Sequence, residues 1–132
     1  MTAKDVVQFW LESSNQEWET AQILFKNKKY HHALFFCHLS LEKILKGLIV
    51  KVTRQAPPLI HDLIRLAESA EIALTERHKD ELAEITSFNI QTRYDDYKLS
   101  FYKKATPSFT TKYFNKTKSL LTWLNKLIKI HR

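Results

Sequence analysis

The pentapeptide Arg93-Tyr94-Asp95-Asp96-Tyr97 places a guanidinium, two carboxylates and two phenols next to one another. A guanidinium can hold a phosphate or a carboxylate through two parallel hydrogen bonds, and a phenol can stack on a base. Buried charges are costly unless they are paired, so such a group more often serves a ligand or a partner than a core. The alternative is a solvated turn between two helices.

A second segment carries polar residues that could act with this pentapeptide. His38, Glu42 and Lys46 recur every four residues, so they lie along one face of a helix. Either Glu42 and Lys46 form an ordinary surface ion pair beside a surface histidine, or Glu42 turns inward and holds Arg93 through two hydrogen bonds. His61 is either a packing residue or a donor to a ligand. The candidate ligand-binding residues are therefore Arg93, Tyr94, Asp95, Tyr97, Glu42, Lys46 and His61.

The sequence predicts neither a metal site nor a cofactor site. His31 and His32 are adjacent and face different directions, while the other histidines are scattered along the chain. Gly47 is the single glycine, which excludes the glycine-rich loops that bind dinucleotides or nucleoside triphosphates. Cys37 lies in an apolar run, so we expect a small buried side chain rather than a nucleophile.

The elements that position these residues are predicted to be helices. One Gly and three Pro in 132 residues disfavour a sheet rich in tight turns. Apolar residues recur at intervals of three to four, and the region 89–107 is the least regular. We expect a single all-α domain over residues 1–132, an up-and-down bundle of about five helices, one of them short. The predicted ranges are approximately 4–26, 30–53, 59–70, 75–88 and 108–129.

The charge distribution favours an anionic partner without naming it. The chain holds 21 basic and 14 acidic residues, for a net charge of +7. No acidic residue follows Asp96, so the last helix is strongly basic. Its lysines form either the solvated face of an amphipathic helix or a contact with nucleic acid. No apolar run approaches the roughly 18 residues of a membrane span, and the N-terminus does not resemble a signal peptide, so we expect a cytoplasmic protein without a membrane partner.

Three segments, in order, resemble the HEPN domain family. The second is Pro57-Pro58-x-x-His61-Asp62-Leu63, and the third is Arg93-Tyr94-Asp95. Together with Trp18 and Ala21 in the first helix, the resemblance covers approximately residues 10–97. The first segment spans residues 30–48, where the matching positions are Tyr30, Ala33 and Leu41-Glu42-Lys43-x-Leu45-Lys46.

The resemblance implies a compact helical bundle, commonly a homodimer, with a cleft near the element that contains Arg93. Many members of the family look like partners of minimal nucleotidyltransferases in toxin–antitoxin pairs. Others are metal-independent ribonucleases whose motif is an Arg followed a few residues later by a His. This chain departs from that motif, because Lys98, Leu99 and Ser100 stand where the His would fall and no His lies between Arg93 and His131.

The leading hypothesis is a non-catalytic HEPN protein that binds a nucleotide, RNA or a nucleotidyltransferase partner. Arg93 and Lys46 would hold phosphate, Glu42 and Asp95 would orient Arg93, and a tyrosine could stack on a base. One alternative is a metal-independent ribonuclease with a degenerate motif, in which Arg93 stabilises the phosphorane and proton transfer falls to Asp95, a poorly basic phenol or His61. The other alternative is a purely structural module for dimerisation or regulation of a partner.

Overall fold

Six α-helices make up the fold. The computed structural model describes residues 1–94 and 96–130, apart from the side chain of residue 130, and contains no strand in these ranges. This confirms the predicted all-α bundle, with one more short helix than expected. The helices are α1 (Ala3–Lys26), α2 (Tyr30–Thr53), α3 (Leu63–Ser69), α4 (Glu76–Arg93), α5 (Ser100–Lys104) and α6 (Pro107–Ile130).

Side-chain caps set the first residues of three helices. The Thr2 hydroxyl accepts a hydrogen bond from the Asp5 N–H, and the Asp5 carboxylate accepts one from the Thr2 N–H, which forms a capping box at α1. Thr75 accepts from the His78 N–H and caps α4, as predicted. Asp62 accepts from two N–H groups and caps α3, so this helix begins at Leu63 and not at the predicted residue 59 or 60.

The region predicted to be irregular contains more helix than expected. α4 continues past the predicted end at Phe88 as far as Arg93, because Phe88 and Asn89 are both buried and hold this last turn against the core. α5 forms because Phe101 is buried, with its ring centroid 5.6 Å from that of Phe88. The sequence there alternates apolar residues with a charged turn. It therefore shows no regular helical period from which these helices could be predicted.

α2 is the central helix, packed between α1, α3, α4 and α6. The predicted apolar stripe of Leu34, Leu41 and Leu48 is fully buried. α1 approaches α2 closely at Gly47, where an added Cβ would lie 3.1 Å from the Trp10 Cβ. The helix therefore has almost no solvated face between residues 40 and 50, where only Lys43 is partly exposed.

α6 closes the bundle against α2. Its inner face buries four aliphatic side chains, while several lysines lie on its exposed face. Within residues 1–94 and 96–130, no helix combines the length and the apolar character required to cross a bilayer. The four aliphatic residues of the inner face are Leu120, Leu121, Leu124 and Ile128.

Candidate ligand-binding site

Glu42 is a buried carboxylate at the centre of a polar network. Its Oε2 accepts a hydrogen bond from Lys46 Nζ at 2.9 Å, and its Oε1 accepts one from His61 Nδ1 at 2.9 Å. α2 places Glu42 and Lys46 one turn apart, and the connection to α3 brings His61 back to them. Burial raises the pKa of Glu42, but the hydrogen bonds from Lys46 and His61 outweigh it, so its pKa is lowered. Glu42 is therefore ionised at neutral pH.

His38 completes what we call the Glu42 network, which consists of His38, Glu42, Lys46 and His61. Its ring is fully buried, and its Nε2 donates to the backbone carbonyl of His61 at 2.9 Å. A carbonyl can only accept, so the proton of the neutral ring is on Nε2. Nδ1 lies 3.8 Å from Glu42 Oε1 and bonds to no described group. Burial lowers the pKa of His38 and outweighs the hydrogen bond to the His61 carbonyl and the charge of Glu42, which raise it, so the pKa stays lowered and the ring is neutral.

Two interpretations of Glu42 from the sequence were wrong. The pair with Lys46 does not lie on the surface, since the two side chains are only 4% and 8% exposed. Nor does Glu42 hold Arg93: among the described residues, the groups that donate to its two oxygens are Lys46 and His61. Arg93 Nε donates instead to Asn89 Oδ1 at 2.6 Å, one turn earlier on α4.

Arg93 and His61 both act on the buried His38. His61 carries the carbonyl to which His38 donates, and the guanidinium charge of Arg93 reaches His38 and lowers its pKa. The His61 side chain is 51% exposed, and its Nε2 bonds to no described residue. Arg93 is exposed as well, with its guanidinium carbon 5.8 Å from the centroid of the Phe35 ring. Both residues that act on His38 therefore reach the surface.

The remaining residues of the pentapeptide do not converge on this surface. Tyr94 is 78% exposed and Tyr97 is 91% exposed, as a solvated turn would have them. Asp96 accepts from the N–H and the hydroxyl of Ser100, which lowers the pKa of Asp96 and fixes the entry to α5. Asp95 lies outside the described residues. The structure therefore brings together Glu42, Lys46 and His61, with Arg93 nearby and the tyrosines directed to solvent.

Two partners in the site were missed from the sequence. Asn89 is buried and orients Arg93, and the spacing of four residues between them would have suggested the contact if α4 had been extended that far. Trp10 of α1 lies beside the network, with the ammonium groups of Lys43 and Lys46 at 5.7 and 5.8 Å from its ring centroid. Such cation–π contacts leave no signal in local sequence spacing.

Cys37 and the histidines provide no metal centre in the part of the chain that the structure describes. No three His, Cys, Asp or Glu side chains are grouped there so that they could hold a metal ion. Cys37 is fully buried, as predicted, and burial raises the pKa of its thiol to about 12. The thiol is therefore protonated at neutral pH, which disfavours a role as a nucleophile.

We expect the buried His38 to make folding sensitive to mild acid. The unfolded chain takes up a proton near pH 6.5, whereas folded His38 has a lowered pKa and stays neutral, so stability falls as the pH falls below that value. The loss amounts to at most about 1.4 kcal/mol per pH unit. His38→Gln, whose amide can still donate to the His61 carbonyl, should flatten the dependence measured by urea unfolding between about pH 5 and 7.

The exposed His32→Gln is the control for this prediction and should keep the slope of the wild type. Glu42, His61 and Arg93 carry the other charges that act on His38, and all of them remain in both variants. An unchanged slope in His38→Gln would show that the acid sensitivity arises elsewhere.

Comparison with known proteins places this site within a family. No curated protein and no solved structure gives a significant match to the chain. A family model described as the HEPN domain matches residues 7–127, a range that contains the whole Glu42 network and Arg93. An all-helical fold and a match over nearly the entire chain lead to one conclusion: the protein belongs to the HEPN domain family.

Proposed function

We propose that this HEPN domain is a non-catalytic protein that binds the phosphate of a nucleotide or of RNA at the surface formed by Arg93 and His61. The observation that carries the proposal is the orientation of His61. A buried, ionised Glu42 holds its Nδ1 at 2.9 Å and leaves half of the side chain exposed. The guanidinium of Arg93 offers donors to an anion, and the ring of His61, with its Nδ1 proton engaged by Glu42, can add a donor from Nε2 when it carries both protons.

Arg93 is anchored in a way that suits phosphate recognition. Asn89 accepts from Nε, so the plane of the guanidinium is fixed at its inner edge. Its terminal nitrogens donate to no other described residue, and they can form two parallel hydrogen bonds with phosphate oxygens. In this proposal Tyr94, which is exposed next to Arg93, stacks on a base.

Lys46 receives a different role from the one expected. Its ammonium lies 2.9 Å from Glu42 Oε2 and is almost fully buried, so its charge is already compensated. We assign Lys46 to positioning, because it keeps Glu42 ionised and thereby keeps the Nδ1 proton of His61 engaged. Phosphate binding then falls to Arg93 and His61.

One observation favours the ribonuclease alternative. An imidazole whose Nδ1 is held by a carboxylate, with Nε2 open to solvent, is an arrangement that can accept a proton from a hydroxyl. RNA cleavage also needs an acid for the leaving oxygen. The nearest candidate is His38, but it is fully buried and its pKa is lowered, so it is unsuited to that task. The non-catalytic function is therefore the stronger proposal.

Membership of the family also supports two protein partners. We propose a second copy of the chain and a minimal nucleotidyltransferase, as in a toxin–antitoxin pair. Ile90 on α4 and Tyr94 at its C-terminal cap lie one turn apart, are 60% and 78% exposed, and supply apolar surface beside Arg93 for such a contact. If the domain were purely structural, Arg93→Ala would alter the melting temperature or the oligomeric state. It would not change any binding signal.

We expect Arg93→Ala to weaken binding of a mononucleotide by tenfold or more. Hydrogen bonds to charged groups contribute about 1.5–3 kcal/mol each, whereas the loss of an exposed side chain should leave melting nearly unchanged. Isothermal titration against a panel of nucleotides and RNA measures the affinity. Arg65→Ala, which removes an exposed arginine from α3, is the matched control and should bind like the wild type.

The same proteins incubated with RNA in EDTA separate the competing functions. Intact RNA together with the loss of affinity in Arg93→Ala supports the proposal. Cleavage that persists in EDTA and disappears in His61→Ala would replace it with the ribonuclease. Equal affinities of Arg93→Ala and wild type, or no binding of any ligand in the panel, would refute binding at this surface.

A further inference from the structure

A groove between α1 and α6 lies apart from the Glu42 network and shares no residue with it. Its volume is about 370 Å³, and Ser14, Trp18 and Leu121 form part of its lining. The buried Ser14 hydroxyl donates to the backbone carbonyl of Ser40 on α2, which ties this wall of the groove to the central helix. The groove is thus a fixed feature of the bundle.

Three lysines of α6 line this groove with no compensating charge. Lys118, Lys126 and Lys129 are exposed, and none forms an ion pair in the part of the chain that the structure describes. With a rise of 1.5 Å per residue, they extend over roughly 16 Å of helix. Three ammonium groups distributed over that length do not converge on one phosphate. They match an extended polyanion whose charges recur along a chain.

The rest of the lining distinguishes among polyanions. Trp18 is half-buried and its ring stacks on that of Phe114, with ring centroids 4.7 Å apart. Asn15, Thr122 and Asn125 add amide and hydroxyl groups at the same groove. An aromatic surface beside a cationic track is the combination that binds single-stranded nucleic acids, because every base has a face that can stack. An acidic peptide would engage the lysines but offers no counterpart to the indole.

We propose that the α1–α6 groove binds single-stranded nucleic acid, with the three lysines on phosphates along the strand and Trp18 against a base. This site is independent of the proposed function at Arg93 and His61. A mononucleotide would occupy only the Arg93 surface, whereas an oligonucleotide would engage the groove whether or not the Arg93 surface binds it.

The test is the salt dependence of binding to a fluorescent oligouridylate. Each phosphate contact with a single strand adds about 0.7 to the slope of log K against log salt. The triple variant Lys118→Gln, Lys126→Gln, Lys129→Gln should therefore have a slope smaller in magnitude than that of the wild type by about 2. Between 50 and 200 mM salt, the wild-type affinity should fall about 20-fold more than that of the variant. Fluorescence anisotropy at each salt concentration gives both values.

A matched variant separates the groove from net charge. Lys4→Gln, Lys79→Gln, Lys112→Gln removes three exposed lysines outside the groove and lowers the net charge of +7 by the same amount. It should keep nearly the whole wild-type slope. Equal slopes for the two triple variants would overturn the proposal, because the binding would then reflect overall charge alone.

Two further arms identify the ligand and separate the sites. Polyglutamate that binds as tightly as oligouridylate, with equal sensitivity to the groove variant, would overturn the assignment to nucleic acid. Arg93→Ala should keep the groove-dependent slope of oligouridylate, even if mononucleotide binding is lost. The groove variant should bind a mononucleotide as tightly as the wild type does, while its salt slope for oligouridylate is reduced.

Discussion

Replacing Glu42 with glutamine is expected to lower the free energy of unfolding by about 3 kcal/mol, because the change leaves the buried ammonium of Lys46 without a counter-charge. Glutamine has nearly the same shape, so packing contributes little to the loss. The change also removes the anion that holds His61 Nδ1, so ligand affinity should fall together with stability. Urea unfolding at neutral pH measures the first effect and isothermal titration the second.

A double variant shows whether the uncompensated charge is the cause. Glu42→Gln with Lys46→Met should recover much of the lost stability, since apolar replacement of a buried ion pair is often nearly neutral. It should not recover affinity, because His61 still lacks its carboxylate. A single variant as stable as the wild type would mean that Lys46 finds solvent at little cost, contrary to its 8% exposure.

Phe88→Ala should be the most destabilising single change in the core, with a loss of about 4 kcal/mol. Its ring is fully buried and packs against Phe101 of α5 and against Phe109 and Tyr113 of α6, with centroid separations of 5.6, 6.0 and 5.5 Å. Alanine would leave a cavity where three helices meet. Urea unfolding again gives the change in free energy.

Ile90→Ala is the control for Phe88→Ala, because Ile90 lies on the same helix but is 60% exposed. Its effect should stay within about 0.5 kcal/mol. Equal losses in the two variants would indicate that α4 is stabilised by helix propensity and not by its contacts with α5 and α6. Since Arg93 lies on the turn that follows Phe88, the loss of this contact should also weaken ligand binding.

The fold could be predicted from the sequence where periodic apolar positions coincide with clear start and stop signals. α2 was predicted over 30–53 and is found at Tyr30–Thr53, since a polar connection precedes it and a proline pair follows. α5 was missed because it is held by one buried side chain, Phe101, in a segment without a helical period. Contacts distant in sequence decide such elements.

The sequence indicated which polar residues could act together but not how they pair. Local spacing indicated that Glu42 and Lys46 lie on one face, yet it could not show that this face is buried. His61, from the connection between α2 and α3, contacts Glu42. Trp10 of α1 lies beside Lys46, and both placements follow from tertiary packing. For the same reason His61, and not Arg93, became the partner of Glu42 across 19 residues of chain. The connection between α2 and α3 returns His61 to the middle of α2, and this decides which residue pairs with Glu42.

Trp10 gives the protein a built-in optical reporter. The field of two nearby ammonium groups acts on its indole, and one of them, Lys46, is bound to Glu42. Any event that moves Lys46 relative to the ring changes that field and hence the emission wavelength of the fluorophore. Because Trp18 and Trp123 also emit, intrinsic fluorescence can follow the state of the ion pair in a variant that keeps Trp10 as its one tryptophan.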